Sequence, residues 1–157
     1  MNLANHDWNG HATGDGGGWA KSELRAWLHG NEFIEMLPDE LKNNIKSVTK
    51  YSDNGFYDYH NDDLSKKQPG QTITQDKIFI ASPVELNIAN SAYTINEQGC
   101  GYTLLTNNAS RDKDATYWTR STAGNAGIHM FCIVDGDGRL SMSGSSNRNG
   151  LMIYFCI

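Results

Sequence analysis

The feature that most constrains this chain is its C-terminal segment, Tyr117 to Ile157, where short apolar or alternating runs are separated by turn compositions. The runs are Met130 to Val134, Arg139 to Ser143 and Leu151 to Ile157, and between them stand Asp-Gly-Asp-Gly and a Ser-Gly-Ser-Ser-Asn-Arg-Asn-Gly stretch. A period of two suits strands and not helices, so the segment predicts a meander of about three strands. Its composition also differs from the rest: Ser121 to Ile157 holds no Lys, Glu, Gln or Trp, although all of these occur upstream. Small polar residues take the solvent-facing positions instead. Ser, Gly, Asn and Tyr are the types that binding loops favour, because they hydrogen-bond adaptably at low side-chain entropy cost.

The upstream chain reads as scaffold. A length of 157 residues fits a single domain, residues 1–157, with enough chain to bury a core. The net charge of -5 and scattered basic residues argue against a nucleic-acid partner, which needs clustered Lys and Arg. No apolar run approaches the length that spans a bilayer, so direct membrane insertion is not expected; the chain reads as soluble or as a domain of a longer protein.

Asn2 to Gly18 lacks an apolar period and predicts an irregular N-terminal segment. Trp19, Leu24, Trp27 and Leu28 then recur at helical spacing, predicting a helix over Ala20 to His29 closed by Gly30. A second helix, or a broken one, runs from Phe33 to Leu37 and from Pro38 to Ile45, with Pro38 in its first turn and Asp39 and Glu40 at the positive end. Ser47 to Ser52 alternates like a strand, and Asp53 to Gln75 reads as a long polar loop. Asp76 to Ala81 predicts a short buried strand, Val84 to Ile88 a short helix with Ser82 as cap, and Tyr102 to Asn107 another helical piece.

Chemistry-bearing motifs are sparse. The sequence contains no G-x-S-x-G, H-E-x-x-H or P-loop pattern, so catalysis is not expected and no cofactor is implied. Asp58, His60, Asp62 and Asp63 form an oxygen-rich cluster that could hold calcium, but without EF-hand spacing; a solvated loop is the default. Asp135-Gly136-Asp137-Gly138 is better explained as a hairpin turn than as a calcium loop. Cys100, Cys132 and Cys156 lack zinc or thioredoxin spacing. Cys132 and Cys156 fall on different predicted strands, where a disulfide forms if the strands are neighbours; otherwise the thiols act as small buried hydrophobes.

The order of segments carries a resemblance. GGW-x-x-SELRAWL, FIEMLPDELKNNIKSVTK, T-x-DKIFI-x-S, YW-x-RS, FC-x-V-x-x-DG and a final G-x-x-x-x-FCI resemble an uncharacterised bacterial and phage-associated domain family. That family is similar to the C-type-lectin-like variable proteins of diversity-generating retroelements. The resemblance covers about Gly16 to Ile157. It implies an α+β, C-type-lectin-like fold, with two helices packed on a small twisted antiparallel sheet and long loops on one side. It also implies that residues 117–157 hold a variable region: randomised adenines in Asn codons never yield Lys, Glu, Gln, Met or Trp, which agrees with the missing Lys, Glu, Gln and Trp from Ser121 on and requires Met130, Met142 and Met152 to be fixed by the template. Calcium-dependent sugar binding is not implied, because the tripeptides that lectins use for it are absent here.

Strand alternation within the segment then predicts a core set of Cys132, Val134, Leu140 and Met142, with Ile133, Arg139, Ser141 and Ser143 facing out. Asn125, Ile128 and His129 join the outward set from the preceding loop, and Ser145, Ser146, Asn147 and Arg148 from the following one. On the last strand Leu151, Ile153, Phe155 and Ile157 are the expected inward set, leaving Met152 and Tyr154 outward. Tyr154, His129 and Arg148 are the expected energetic centre, replaceable with little loss of stability. The function expected is display of this surface to a macromolecular ligand, a protein, in a virion or cell-surface setting. The alternatives are an enzyme on a formylglycine-generating-oxidase-like scaffold, which needs a reactive cysteine pair, and a structural surface domain with a fixed partner.

Overall fold

The computed structural model describes residues 18–53, 71–89, 97, 99–111, 114–123, 130–144 and 147–157. The first expected helix forms in two pieces, α1 (Gly18–Lys21) and α2 (Glu23–Leu28). Ser22 makes the break. Its backbone is extended, its Oγ accepts from the Arg25 N–H at 3.1 Å, and the same hydroxyl donates to the Trp19 carbonyl. One serine thus ends the first piece and caps the second. The break lets Trp19, Leu24 and Leu28 all turn into the core.

Gly30 does not close α2 through a left-handed conformation. It is extended and begins α3 (Asn31–Glu35), and a β-carbon there would stand 3.2 Å from the Trp27 carbonyl oxygen. Any larger residue would push that carbonyl back by a few tenths of an ångström, so the close backbone approach favours glycine. Pro38 caps α4 (Asp39–Asn44) from outside, one position earlier than expected, and Asp39 and Glu40 occupy its first turn as anticipated.

Three small antiparallel sheets follow. β1 (Val48–Asp53) pairs with β2 (Gln71–Asp76), from Val48 opposite Asp76 to Asp53 opposite Gln71. The expected loop to Gln75 is therefore shorter, and β2 is a strand that polar composition concealed. β3 (Ile78–Ile80) pairs with β7 (Ile153–Phe155). Between them in sequence come a short helix α5 (Asn108–Arg111), β4 (Tyr117–Thr122), β5 (Met130–Val134) and β6 (Leu140–Gly144), the last three forming a sheet in the order β4-β5-β6. The β5–β6 connection is the hairpin turn read from Asp-Gly-Asp-Gly: Asp135 Oδ1 accepts from the Asp137 and Arg139 N–H groups, and Gly138 takes a positive φ of 76°. The expected meander stops there. The last strand leaves β6 and crosses to β3.

β4 joins these sheets. One of its edges pairs with β5 across a bulge between Trp118 and Thr122. Its other hydrogen bonds go to different partners, Trp118 N–H to the Gly150 carbonyl and Arg120 N–H to the Ala81 carbonyl. All six residues of β4 are buried. The main core gathers Trp19, Leu24, Leu28, Ile78, Phe79, Ile80, Trp118, Phe131 and Ile133, and a smaller cluster gathers Ala81, Leu86, Tyr117 and Val134. β4 and β5 thus feed both clusters from opposite faces, which corrects the alternating in-and-out reading of β5. Its run Met-Phe-Cys-Ile-Val is the continuous apolar pattern of a strand covered on both sides.

Buried ions fasten the layers. Asp76 receives Trp19 Nε1 at 2.8 Å, Thr74 Oγ1 at 2.6 Å and Arg25 Nε at 2.7 Å, tying α1 and α2 to β2. Glu85 accepts from Lys50 Nζ at 2.8 Å and from Arg120 Nη1, tying β1 and β4 to the turn after β3. No described helix is long and apolar enough to cross a membrane.

Candidate functional site

The antiparallel register of β3 and β7 sets Phe79 opposite Tyr154. Their rings stack with centroids 6.3 Å apart, and Tyr102 closes on Tyr154 at 5.5 Å. These three rings, with Thr103, Leu104, Leu105, Met152, Phe155 and Cys156, line an open, mainly apolar groove of about 460 Å³. The loop that carries Tyr102 and Leu104 is held by backbone geometry. Asn87, at a positive φ of 58°, donates its amide to the Tyr102 and Leu105 carbonyls, and the Tyr102 N–H bonds the Glu85 carbonyl at 2.7 Å. Leu104 is thereby held out at 85% exposure, and Phe155 is 43% exposed on the facing strand.

The groove has a charged underside. Lys50 Nζ stands 3.6 Å above the centre of the Phe79 ring and 3.4 Å from Tyr102 Oη, while Glu85 neutralises it. The cation is thus spent on the aromatic floor and its own carboxylate. Burial pushes the Tyr102 and Tyr154 phenols well above the ordinary tyrosine value, reinforced by the nearby Glu85 charge, so both stay neutral. Tyr154 Oη reaches Met152 Sδ at 3.1 Å. The result is a rigid apolar wall of ring faces and thioether, suited to taking an apolar side chain.

The sequence-expected residues are spread over several environments. Asn125, Ile128, His129, Ser145 and Ser146 lie outside the described residues, as do Asp58, His60, Asp62 and Asp63 of the calcium candidate. Arg139, Asn147 and Arg148 are exposed and Ser141 is half-buried. Ile133 and Ser143 are buried, which corrects their outward assignment. Ile133 faces Trp118 across the strand pair, and Ser143 Oγ accepts the side-chain amides of Asn147 and Asn149, fastening the turn that follows.

The last strand reverses expectation in part. Met152 and Tyr154 are half-buried in the groove, whereas Phe155 and Ile157, expected inward, are exposed, Ile157 at 71%. The disulfide is also corrected: Cys132 and Cys156 remain thiols. β7 pairs with β3 and not with β5, and Cys156, just beyond β7, bridges Lys46, whereas Cys132 lies opposite Met142 and is buried with its Sγ 3.7 Å from the Thr122 carbonyl. Tyr102, Leu104 and Phe79 were missed as site residues. A signal existed in the adjacent Leu104-Leu105 within an otherwise polar loop.

The architecture is that of a mixed α+β domain built on small antiparallel sheets. The chain belongs to a family described as a domain of unknown function (DUF6273), whose pattern it matches over residues 2–157. No curated protein and no solved structure matches it.

Proposed function

We propose that this protein is a ligand-binding module of C-type-lectin-like fold, not an enzyme, which presents its C-terminal region to a protein ligand. The observation that carries the proposal is the groove: two C-terminal residues, Met152 and Tyr154, meet exposed Leu104 and Phe155 on one apolar surface. Aromatic and Met side chains are the types enriched where proteins meet, and exposed apolar surface of this kind marks interaction sites. Exposed Arg139, Asn147 and Arg148 add a polar surface from the same region. The different backbone partners of Cys132 and Cys156, Met142 and Lys46, and the burial of Cys132 weigh against the oxidase-like alternative, which needs the two thiols as a reactive pair. Diversification of residues 117–157 and display on a virion or cell surface belong to the same reading.

A peptide library selected on the immobilised full chain tests the groove. Selected peptides are expected to share a large apolar anchor and to bind L104D at least about tenfold more weakly than the unaltered chain. Equal binding to L104D and to the unaltered chain would place the ligand surface elsewhere. Diversification is tested in the DNA, where a near-identical repeat beside a reverse transcriptase gene should differ from this segment mainly at adenines.

A further inference from the structure

A second cavity, of about 570 Å³, opens between the turn at Asn87, Ile88 and Ala89, helix α5, and Arg139 and Leu140 at the end of the β5–β6 turn. Arg111, only 3% exposed, lines it. Its Nε donates to the Gly138 carbonyl, its Nη1 to the Leu86 and Leu105 carbonyls, and its Nη2 to Asn108 Oδ1 at 2.6 Å. Those bonds use four of the five N–H groups of a guanidinium, and every acceptor is neutral.

The contrast with the other well-packed arginines is informative. Arg120 is neutralised by Glu85 and Arg25 by Asp76. Arg111 has no carboxylate partner among the described residues, although an uncompensated buried charge is costly. Arg139 lines the same cavity, and its guanidinium likewise makes no ion pair or hydrogen bond among the described residues. Among the described residues no carboxylate lines the cavity, and Asp135, four positions before Arg139, turns its Oδ1 to the backbone N–H groups of its own turn. Two like charges on one cavity repel each other until something negative lies between them.

We infer that this cavity binds an oxyanion, which accepts the remaining Nη2 N–H of Arg111 and the guanidinium of Arg139. Charge-assisted hydrogen bonds of this kind are about twice as strong as neutral ones. Ile88, Ala89 and Leu140 supply an apolar wall, so the cavity has room for an organic body that carries the anion as well as for a free inorganic one. This site is independent of the apolar groove and stands or falls without it.

The test is a titration of the full-length, isotope-labelled chain followed by amide chemical shifts, with sodium chloride holding ionic strength constant. Inorganic phosphate, sulfate, acetate and citrate are the probes. The expected result is a saturable shift confined to Asn87–Ala89, Asn108–Arg111 and Arg139–Leu140, weakened at least about tenfold in R139Q, whose side chain is exposed and should not disturb folding. Saturation by phosphate or sulfate identifies a free inorganic oxyanion. Saturation by the carboxylates alone identifies an anion carried on an organic body. Absence of saturation with all four probes, or unchanged binding in R139Q, overturns the inference.

Discussion

Glu85 carries more structure than any neighbouring side chain, because Arg120 of β4 and Lys50 of β1 both end on its carboxylate. Burial alone pushes that carboxyl up, yet the hydrogen bonds and charges of Arg120 and Lys50 outweigh burial and hold it below the usual carboxylate range. A depressed folded-state value means that the carboxylate stabilises the fold fully above the unfolded value of about 4.3, and that this contribution fades as pH falls through the lower folded value. Urea midpoints should therefore drop on acidification below about pH 4. In Glu85→Gln the acid-side slope should shrink, and stability at neutral pH should be lower by roughly 3–5 kcal/mol, since two buried cations lose their counter-charge. An unchanged midpoint at pH 7 would show that the pairing contributes nothing net. Nothing in the sequence announces this carboxylate, because its partners lie 35 positions away on either side.

At the scale of elements, β7 is where expectation and structure part most clearly. A strand with one face on a core would hide Phe155 and show Tyr154; here Tyr154 is clamped between Phe79 and Tyr102, and Phe155 is exposed. Tyr154→Ala should accordingly cost about 3–5 kcal/mol in denaturant unfolding, as for a large aromatic removed from packing. Arg148→Ala should stay within about 0.5 kcal/mol. A cost below about 1 kcal/mol for Tyr154→Ala would restore the outward assignment. Alternation gives the period of a strand but not which face is covered. That depends on partners, and β7 turns to β3 instead of to its sequence neighbour β6. The helices before β1 were legible because their apolar spacing, the Ser22 cap and Pro38 act locally, whereas Val84 to Ile88 and Tyr102 to Asn107, expected as helices, form turns, and the short helix lies after them at Asn108–Arg111. β2 was not, since Gln-Thr-Ile-Thr-Gln-Asp owes its place to pairing with β1 and leaves Ile73 exposed.

For the whole molecule, the thiols report how the domain is closed. Cys100 is exposed, Cys156 half-buried and Cys132 buried. Without reductant, an aromatic disulfide reagent should label Cys100 first and Cys156 more slowly, with Cys132 reacting only at the rate of unfolding. Denaturant should expose three reactive thiols. A count of one would mean that the other two are bridged after all. The groove was only half legible at this scale. Met152 and Tyr154 belong to a segment that composition had singled out, whereas Phe79 and Leu104 reach them through the crossing of the last strand to the middle of the chain.

That crossing also sets a timetable. β3 is a wholly apolar run, and its only described strand partner is β7. A ribosome moving at about 5–20 residues per second needs several seconds to travel from Ile80 to Phe155. Through that interval Ile78, Phe79 and Ile80 wait with an unpaired edge, and the nascent chain is open to aggregation until synthesis delivers the strand that covers them.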